Sequence, residues 1–90
     1  MSVTVKIPTQ LRAATGGNAE LEVDGSTVGE VLDAVFETHD GLRDRITQNG
    51  DLRRFVNVYL GGEDIRFLEG LDTEVPDGGE LTILPAVAGG

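Results

Sequence analysis

The sequence predicts an α+β domain in which a mixed sheet of about five strands packs on one main helix. Short segments with apolar and polar residues in alternation occur near both ends of the chain, which is typical of strands with one buried face. Between them lies a single segment whose apolar residues recur at helical spacing. With 90 residues the chain has the length of one domain.

The composition excludes several classes of function. There are 16 acidic and 7 basic residues, so the formal net charge is −9. This charge argues against binding to nucleic acid or an anionic membrane, both of which attract clustered Lys and Arg, and it suits a protein that approaches basic surfaces on other proteins. Without cysteine there can be no disulfide, thiolate nucleophile or Cys-ligated metal.

The amino end has neither the basic nor the apolar stretch of a signal peptide, and no segment approaches the roughly 20 apolar residues that span a bilayer. We therefore expect a cytoplasmic protein.

The first two predicted strands form an antiparallel hairpin. Residues 3–7 alternate with Val3, Val5 and Ile7 on one side, and Pro8, which lacks a backbone donor, ends the strand. A Gly-Gly-Asn turn at residues 16–18 leads to the second strand at residues 20–24, in which two aliphatic residues point inward. The inward pair is Leu21 and Val23.

The helix begins with a capping box. The Thr27 and Glu30 side chains have the T-x-x-E spacing that satisfies backbone N–H groups at a helix start. The apolar stripe that follows is Val28, Val31, Leu32, Val35 and Phe36. Gly41 is predicted to end this helix, and Leu42 and Ile46, four residues apart, predict a second short helical turn before an Asn-Gly-Asp turn at residues 49–51.

The strongest strand by residue type is at residues 55–60. Its aliphatic residues, Val56, Val58 and Leu60, are predicted to face the core, which leaves Phe55 and Tyr59 on the opposite face.

The rest of the chain is predicted to add two more strands. Residues 64–67 predict a short edge strand, and residues 77–79 predict a turn. A last strand at residues 80–84 is ended by Pro85. We expect a domain over residues 1–84 and a flexible tail over residues 85–90.

No catalytic residue, metal site or cofactor site is evident in the sequence. The one histidine, His39, is expected on the surface near the helix C-terminus. The glycines do not form either of the common phosphate-binding motifs. The basic cluster is expected to make ion pairs or contact a partner protein; it consists of Arg43, Arg45, Arg53 and Arg54.

The last six residues, PAVAGG, are small and uncharged, and when extended they reach about 20 Å. The order of elements together with this ending resembles the ubiquitin-like β-grasp proteins, specifically sulfur carriers of the MoaD/ThiS type. Residues 8–12, 15–17, 54–59 and 63–67 are most similar to the CysO-like carriers, a subgroup that serves cysteine biosynthesis.

This resemblance implies a reaction at Gly90. In the family, an E1-like adenylyltransferase/sulfurtransferase uses ATP to adenylate the terminal carboxylate, and a sulfur donor then displaces AMP to leave a thiocarboxylate. In the cysteine branch the sulfur attacks an aminoacrylate on a PLP-dependent cysteine synthase. A JAMM-type metalloprotease releases the product. The chain would thus be a co-substrate, not an enzyme, and bind no cofactor.

Tail recognition by the partners would involve Ala86, Val87, Ala88 and Gly89. Phe55 and Tyr59, together with Leu84 on the last strand, are predicted to form the exposed face that docks each partner. Two alternatives stay open: a sulfur-carrying subunit of molybdopterin synthase or a thiamin-type carrier, and, in a different class, a ubiquitin-like protein modifier or non-covalent interaction module.

Overall fold

The computed structural model describes residues 2–49, 51–53 and 56–85. Its main sheet has five strands in the order β2-β1-β7-β5-β6, and these strands are β1 (Ser2–Lys6), β2 (Glu20–Asp24), β5 (Val56–Leu60), β6 (Glu63–Asp64) and β7 (Glu80–Pro85). β1 and β7 run parallel, and the other neighbours run antiparallel. The sheet is therefore mixed, as predicted, and β7 lies at its centre.

The predicted hairpin of β1 and β2 is confirmed, with Val3 opposite Val23 and Val5 opposite Leu21. The connection between the two strands contains a 3₁₀-helix at Thr9–Thr15, where the sequence indicated only a turn-rich connector. The hydroxyl of Thr15, 1% exposed, donates to the carbonyls of Arg12 (3.1 Å) and Asn18 (2.9 Å) at the end of this helix. The connector is thus an ordered element.

The main helix, α1, spans Val28–Thr38 and begins at the predicted cap. The Glu30 N–H donates to Thr27 Oγ1 at 3.2 Å, and Glu30 Oε1 accepts from the Ser26 N–H at 2.9 Å. The reciprocal bond of the capping box therefore reaches one residue further back than the usual pattern. All five residues of the predicted stripe are buried.

Gly41 does not end the helix, which corrects the sequence prediction. α1 ends at Thr38, and His39, with φ −133° and ψ 68°, breaks the helical geometry before α2 (Asp40–Ile46) begins. The reason is packing: the change of direction brings Leu42 and Ile46, both 0% exposed, into the core. The predicted second helical segment is confirmed, and Gly41 lies inside it.

Two more differences concern the middle of the chain. After α2 a small hairpin joins β3 (Thr47–Gln48) to β4 (Asp51–Leu52). The predicted edge strand at residues 64–67 is wrong beyond Asp64, because Ile65–Phe67 forms a 3₁₀-helix. The Asp64 carboxylate accepts from the Arg66 N–H at 2.8 Å and caps this turn.

The core lies between the sheet and the two helices, and the predicted orientation of β5 is confirmed. Val56 and Val58 are 4% and 0% exposed, and Leu60 packs against the core from its margin. β7 contributes Leu81 and Ile83, both 0% exposed. A third short 3₁₀-helix, Gly70–Asp72, lies before β7.

Gly25, in the connection between β2 and α1, lies too close to Val31 for a side chain to fit without a loss of stability. A Cβ there would lie 2.7 Å from Val31 Cγ2 and 2.9 Å from the Val31 backbone nitrogen. We expect Gly25→Ala to lower the free energy of unfolding by about 1–3 kcal/mol, measured by urea denaturation.

Gly41→Ala is the matched control for this prediction. Gly41 lies inside α2, and its new Cβ would lie 3.8 Å from Ala14 Cβ of the 3₁₀-helix at Thr9–Thr15, an ordinary contact distance. We expect stabilisation by about 0.5 kcal/mol. Equal effects of the two substitutions would contradict the assigned close approach at Gly25.

Candidate functional site

The sheet face that points away from the helices is the candidate site, and we call it the outer face. Side chains alternate along a strand, so the buried Val56 and Val58 place Asn57 and Tyr59 on this face. Across β5 and β7, Tyr59 lies opposite Thr82 and Asn57 lies opposite Leu84. Tyr59 and Leu84 are therefore diagonal neighbours on one surface.

Leu84 lies at the end of the outer face, immediately before the last described residue. Its side chain is 45% exposed, whereas Tyr59 is half-buried. Pro85 is the last residue of β7 and lies opposite Val56. The structure thus brings together two of the three residues predicted to contact partners, next to the start of residues 86–90.

Several residues predicted to act at the site lie outside the described residues. They are Phe55, Ala86, Val87, Ala88, Gly89 and Gly90. Their predicted roles stay predictions.

Arg66 organises the end of the outer face, a role that the sequence did not indicate. Its guanidinium donates to Asn57 Oδ1 at 2.5 Å and to the carbonyls of Val56 (2.7 Å) and Arg53 (3.3 Å). Because Asn57 and Val56 lie opposite Leu84 and Pro85, these bonds fix the strand that supports the end of β7. Two of the three acceptors are backbone carbonyls, which no residue type in the sequence can reveal.

The outer face is acidic on its β2 side. β2 presents Glu20, Glu22 and Asp24, and Glu80 follows on β7. Lys6 on β1 lies among these carboxylates. Its Nζ lies 3.5 Å from Glu80 Oε1, and both side chains are about half exposed. A pair this exposed contributes little to stability. The field on this side is therefore negative and favours basic partner surfaces.

The described members of the basic cluster, Arg43, Arg45 and Arg53, lie in α2 or contact it. Arg43 pairs with Asp40 at 3.4 Å and stacks 5.6 Å above the Phe36 ring, in keeping with the ion pairing that was expected. The Arg53 Nε–H donates to the Asp44 carbonyl at 2.8 Å. Arg45 is exposed, and Arg54 lies outside the described residues.

The lone histidine lies at the junction of α1 and α2. His39 is partly exposed, and its Nδ1 lies 2.9 Å from the Thr38 hydroxyl. Residues 2–49, 51–53 and 56–85 contain no cluster of three or more acidic or histidine side chains placed to hold a metal ion. His39 is the cap residue shared by α1 and α2.

A shallow cavity of about 220 Å³ lies near the β6 edge. It is lined by Asp51, Leu52, Ile65, Arg66, Gly70 and Leu71. Its charged lining residues are one carboxylate, Asp51, and one guanidinium, Arg66. Within the part of the chain that the structure describes, no helix has the length and apolar character needed to cross a membrane.

Tyr59→Lys should leave the domain folded, because the Tyr59 side chain points to the outer face. Val58→Lys is the matched control one residue away, and it should unfold the domain since an unpaired charge would replace a side chain that is 0% exposed. Far-UV circular dichroism during urea denaturation measures both. Unfolding by Tyr59→Lys would contradict the assigned orientation of β5.

Comparisons with known proteins agree with this architecture. The chain is 46% identical over 93 residues to the sulfur carrier protein CysO of Mycobacterium tuberculosis, with both chains fully covered. It is 37% identical over 67 residues to small archaeal modifier protein 3 of Haloferax volcanii, covering 74% of this chain and 73% of that protein.

Among solved structures, the chain is similar to one in the BexX/CysO complex of Amycolatopsis orientalis. The TM-score is 0.92 at 53% identity, with 98% of this chain and 99% of that chain covered. The predicted ubiquitin-like β-grasp fold is thereby confirmed. The model of the ThiS family matches residues 5–90, and this chain therefore belongs to the ThiS family.

Proposed function

We propose that this protein is a sulfur carrier whose Gly90 carboxylate is adenylated and converted to a thiocarboxylate, which donates its sulfur to cysteine biosynthesis. The observation that carries the proposal is the full-length similarity to CysO, a protein named as a sulfur carrier. The family match also extends through Gly90. The chain would act as a co-substrate whose chemistry is catalysed by its partners.

The chemistry explains why activation is needed. An α-carboxyl group is ionised at neutral pH, and a carboxylate is a poor electrophile. Attack of a Gly90 oxygen on the α-phosphorus of ATP forms an acyl adenylate and releases pyrophosphate. Sulfide-level sulfur, as hydrosulfide, then attacks the acyl carbon and AMP leaves with the electron pair of the broken C–O bond. Loss of the sulfur's proton leaves C–S⁻ at Gly90. An E1-like adenylyltransferase/sulfurtransferase would supply the ATP site and catalysis.

The later steps would use the thiocarboxylate as a nucleophile. In the proposed pathway a PLP-dependent cysteine synthase presents the carbon that the sulfur attacks, and an S-to-N acyl shift then links cysteine to Gly90 by an amide bond. A JAMM-type metalloprotease would hydrolyse that bond and regenerate the carrier. PLP and the metal belong to these partners.

The outer face supplies the proposed docking surface. Tyr59 and Leu84 lie on it as diagonal neighbours, and Leu84 is one residue before the end of β7. We include Phe55 in the same surface. A partner that covers this surface is positioned to receive Ala86, Val87, Ala88 and Gly89, whose small side chains suit a narrow channel.

The test is the mass of the intact protein after incubation with ATP, an E1-like enzyme and a sulfur source. We expect exchange of one oxygen for one sulfur at Gly90. Addition of the cysteine synthase and an activated serine should then add one cysteine.

Two variants are the controls for this reaction: one without Gly90, and one extended by an alanine after Gly90. Both should keep the circular dichroism spectrum of the folded domain and lose both mass changes. Sulfur incorporation in the variant without Gly90 would contradict the proposal.

A second candidate function, protein modification, is favoured by one comparison. The similarity to small archaeal modifier protein 3 is consistent with a Gly90 that forms an amide with lysine on other proteins. Conjugates of high molecular weight in place of a thiocarboxylate would indicate this function. Co-purification with a PLP-dependent synthase or a JAMM-type protease would favour the carrier.

A further inference from the structure

We propose that Phe67 and Leu68, which we call the Phe67 patch, form a second docking contact for the enzyme that activates Gly90. The contact fits an apolar pocket rimmed by Lys and Arg side chains. This inference rests on the proposed function and adds to it a surface separate from Tyr59 and Leu84.

The first argument is exposure. Phe67 is 84% exposed and Leu68 is 38% exposed. Among residues 2–49, 51–53 and 56–85, the large apolar side chains that are exposed are these two and Leu84. An aromatic ring is a large apolar surface to leave in water, and exposed apolar residues rimmed by polar groups mark interaction sites.

The second argument is that the exposure is fixed by the local structure. Phe67 ends a 3₁₀-helix whose first residue, Ile65, is 0% exposed. The Asp64 carboxylate caps this helix, and the Leu68 N–H donates to the Ile65 carbonyl at 3.0 Å. With Ile65 anchored in the core, the turn holds Phe67 outward, so a partner would find the ring already in place.

The third argument is position. Arg66, next to Phe67, hydrogen-bonds to Asn57 and to the Val56 carbonyl, and these residues lie opposite Leu84 and Pro85. The Phe67 patch is therefore tied to the end of the sheet from which residues 86–90 start. Five extended residues span at most about 17 Å, so an enzyme that acts on Gly90 must cover the neighbourhood of Pro85.

The fourth argument is charge. The segment that carries the patch has five carboxylates: Glu63, Asp64, Glu69, Asp72 and Glu74. Its one cation, Arg66, is engaged with acceptors of the sheet. A complementary partner surface is basic around an apolar centre.

The activating enzyme fits this description best among the proposed partners. It must bring an ATP triphosphate and a carboxylate together, which requires cationic groups around its site. Lys and Arg side chains on the rim of that site, beyond those that hold the nucleotide, would attract the acidic segment of the carrier.

The experiment compares the wild-type carrier with Phe67→Ser in the adenylation step. AMP formation is followed at increasing carrier concentration with the E1-like enzyme. We expect KM to rise about tenfold with kcat changed less than twofold, as when an exposed aromatic anchor is lost. The thermal midpoint should stay that of the wild type because the ring is exposed.

Gln10→Ser is the matched control, an exposed polar position on the connection between β1 and β2, at the edge of the sheet opposite β6, and it should leave KM unchanged. Glu63→Gln combined with Glu69→Gln tests the charge argument. We expect this variant to raise KM several-fold at low salt, with the difference disappearing at high salt. Asp64 is kept because it caps the turn.

The outcomes separate this inference from the proposed function. If Phe67→Ser keeps the wild-type KM while removal of Gly90 abolishes adenylation, the Phe67 patch is not a docking contact and the sulfur-carrier proposal stands. If Phe67→Ser impairs only the later step at the cysteine synthase, the assignment to the activating enzyme is wrong. If the wild-type chain is never adenylated, both proposals fail.

Discussion

The alternation of side chains along β7 is the constraint on which the rest of the structure depends. β7 lies between β1 and β5, so it pairs on both of its edges. Its inward residues, Leu81 and Ile83, are 0% exposed, whereas Leu84 is 45% exposed on the outer face. A shift of one residue in the pairing would exchange these roles. The same register that builds the core therefore places an apolar side chain beside the last residues of the chain.

The distribution of charge and apolar surface follows from this arrangement. The helices cover the inner face, which leaves the outer face and the β6 end of the sheet for contacts with other proteins. The acidic residues of β2 lie on the outer face, whereas Arg43 and Arg53 are held near α2 by bonds to Asp40 and to the Asp44 carbonyl. The domain thus presents negative and apolar surface together where partners are proposed to bind.

Much of the fold could be predicted from the sequence because local patterns and tertiary packing agree there. The cap at Thr27 and Glu30 and the aliphatic face of β5 both have strong signals, and both are confirmed. The break at His39 had no such signal, since it depends on where α2 meets the core. Residues 9–15 and 65–67 were missed because 3₁₀-helices of seven and three residues have too few turns to show a repeating pattern of apolar residues.

The candidate site could be predicted less completely. Tyr59 and Leu84 followed from alternation alone, which is why the structure places both as expected. The role of Gly90 stays a prediction, made from the diglycine ending and the family resemblance. The role of Arg66 could not be found in this way, because its hydrogen-bond acceptors lie 9 to 13 positions earlier in the chain. The exposure of Phe67 could not be found either, because it depends on the 3₁₀-helix at Ile65–Phe67.

The central position of β7 also determines how the domain would respond to mechanical load. Five residue pairs join β7 to β5, and three join it to β1. A pull on the chain beyond Pro85, directed along the strand, acts on these hydrogen bonds in shear, so they must break together rather than one after another. An enzyme could draw the last residues into a tight channel without peeling the strand from the sheet.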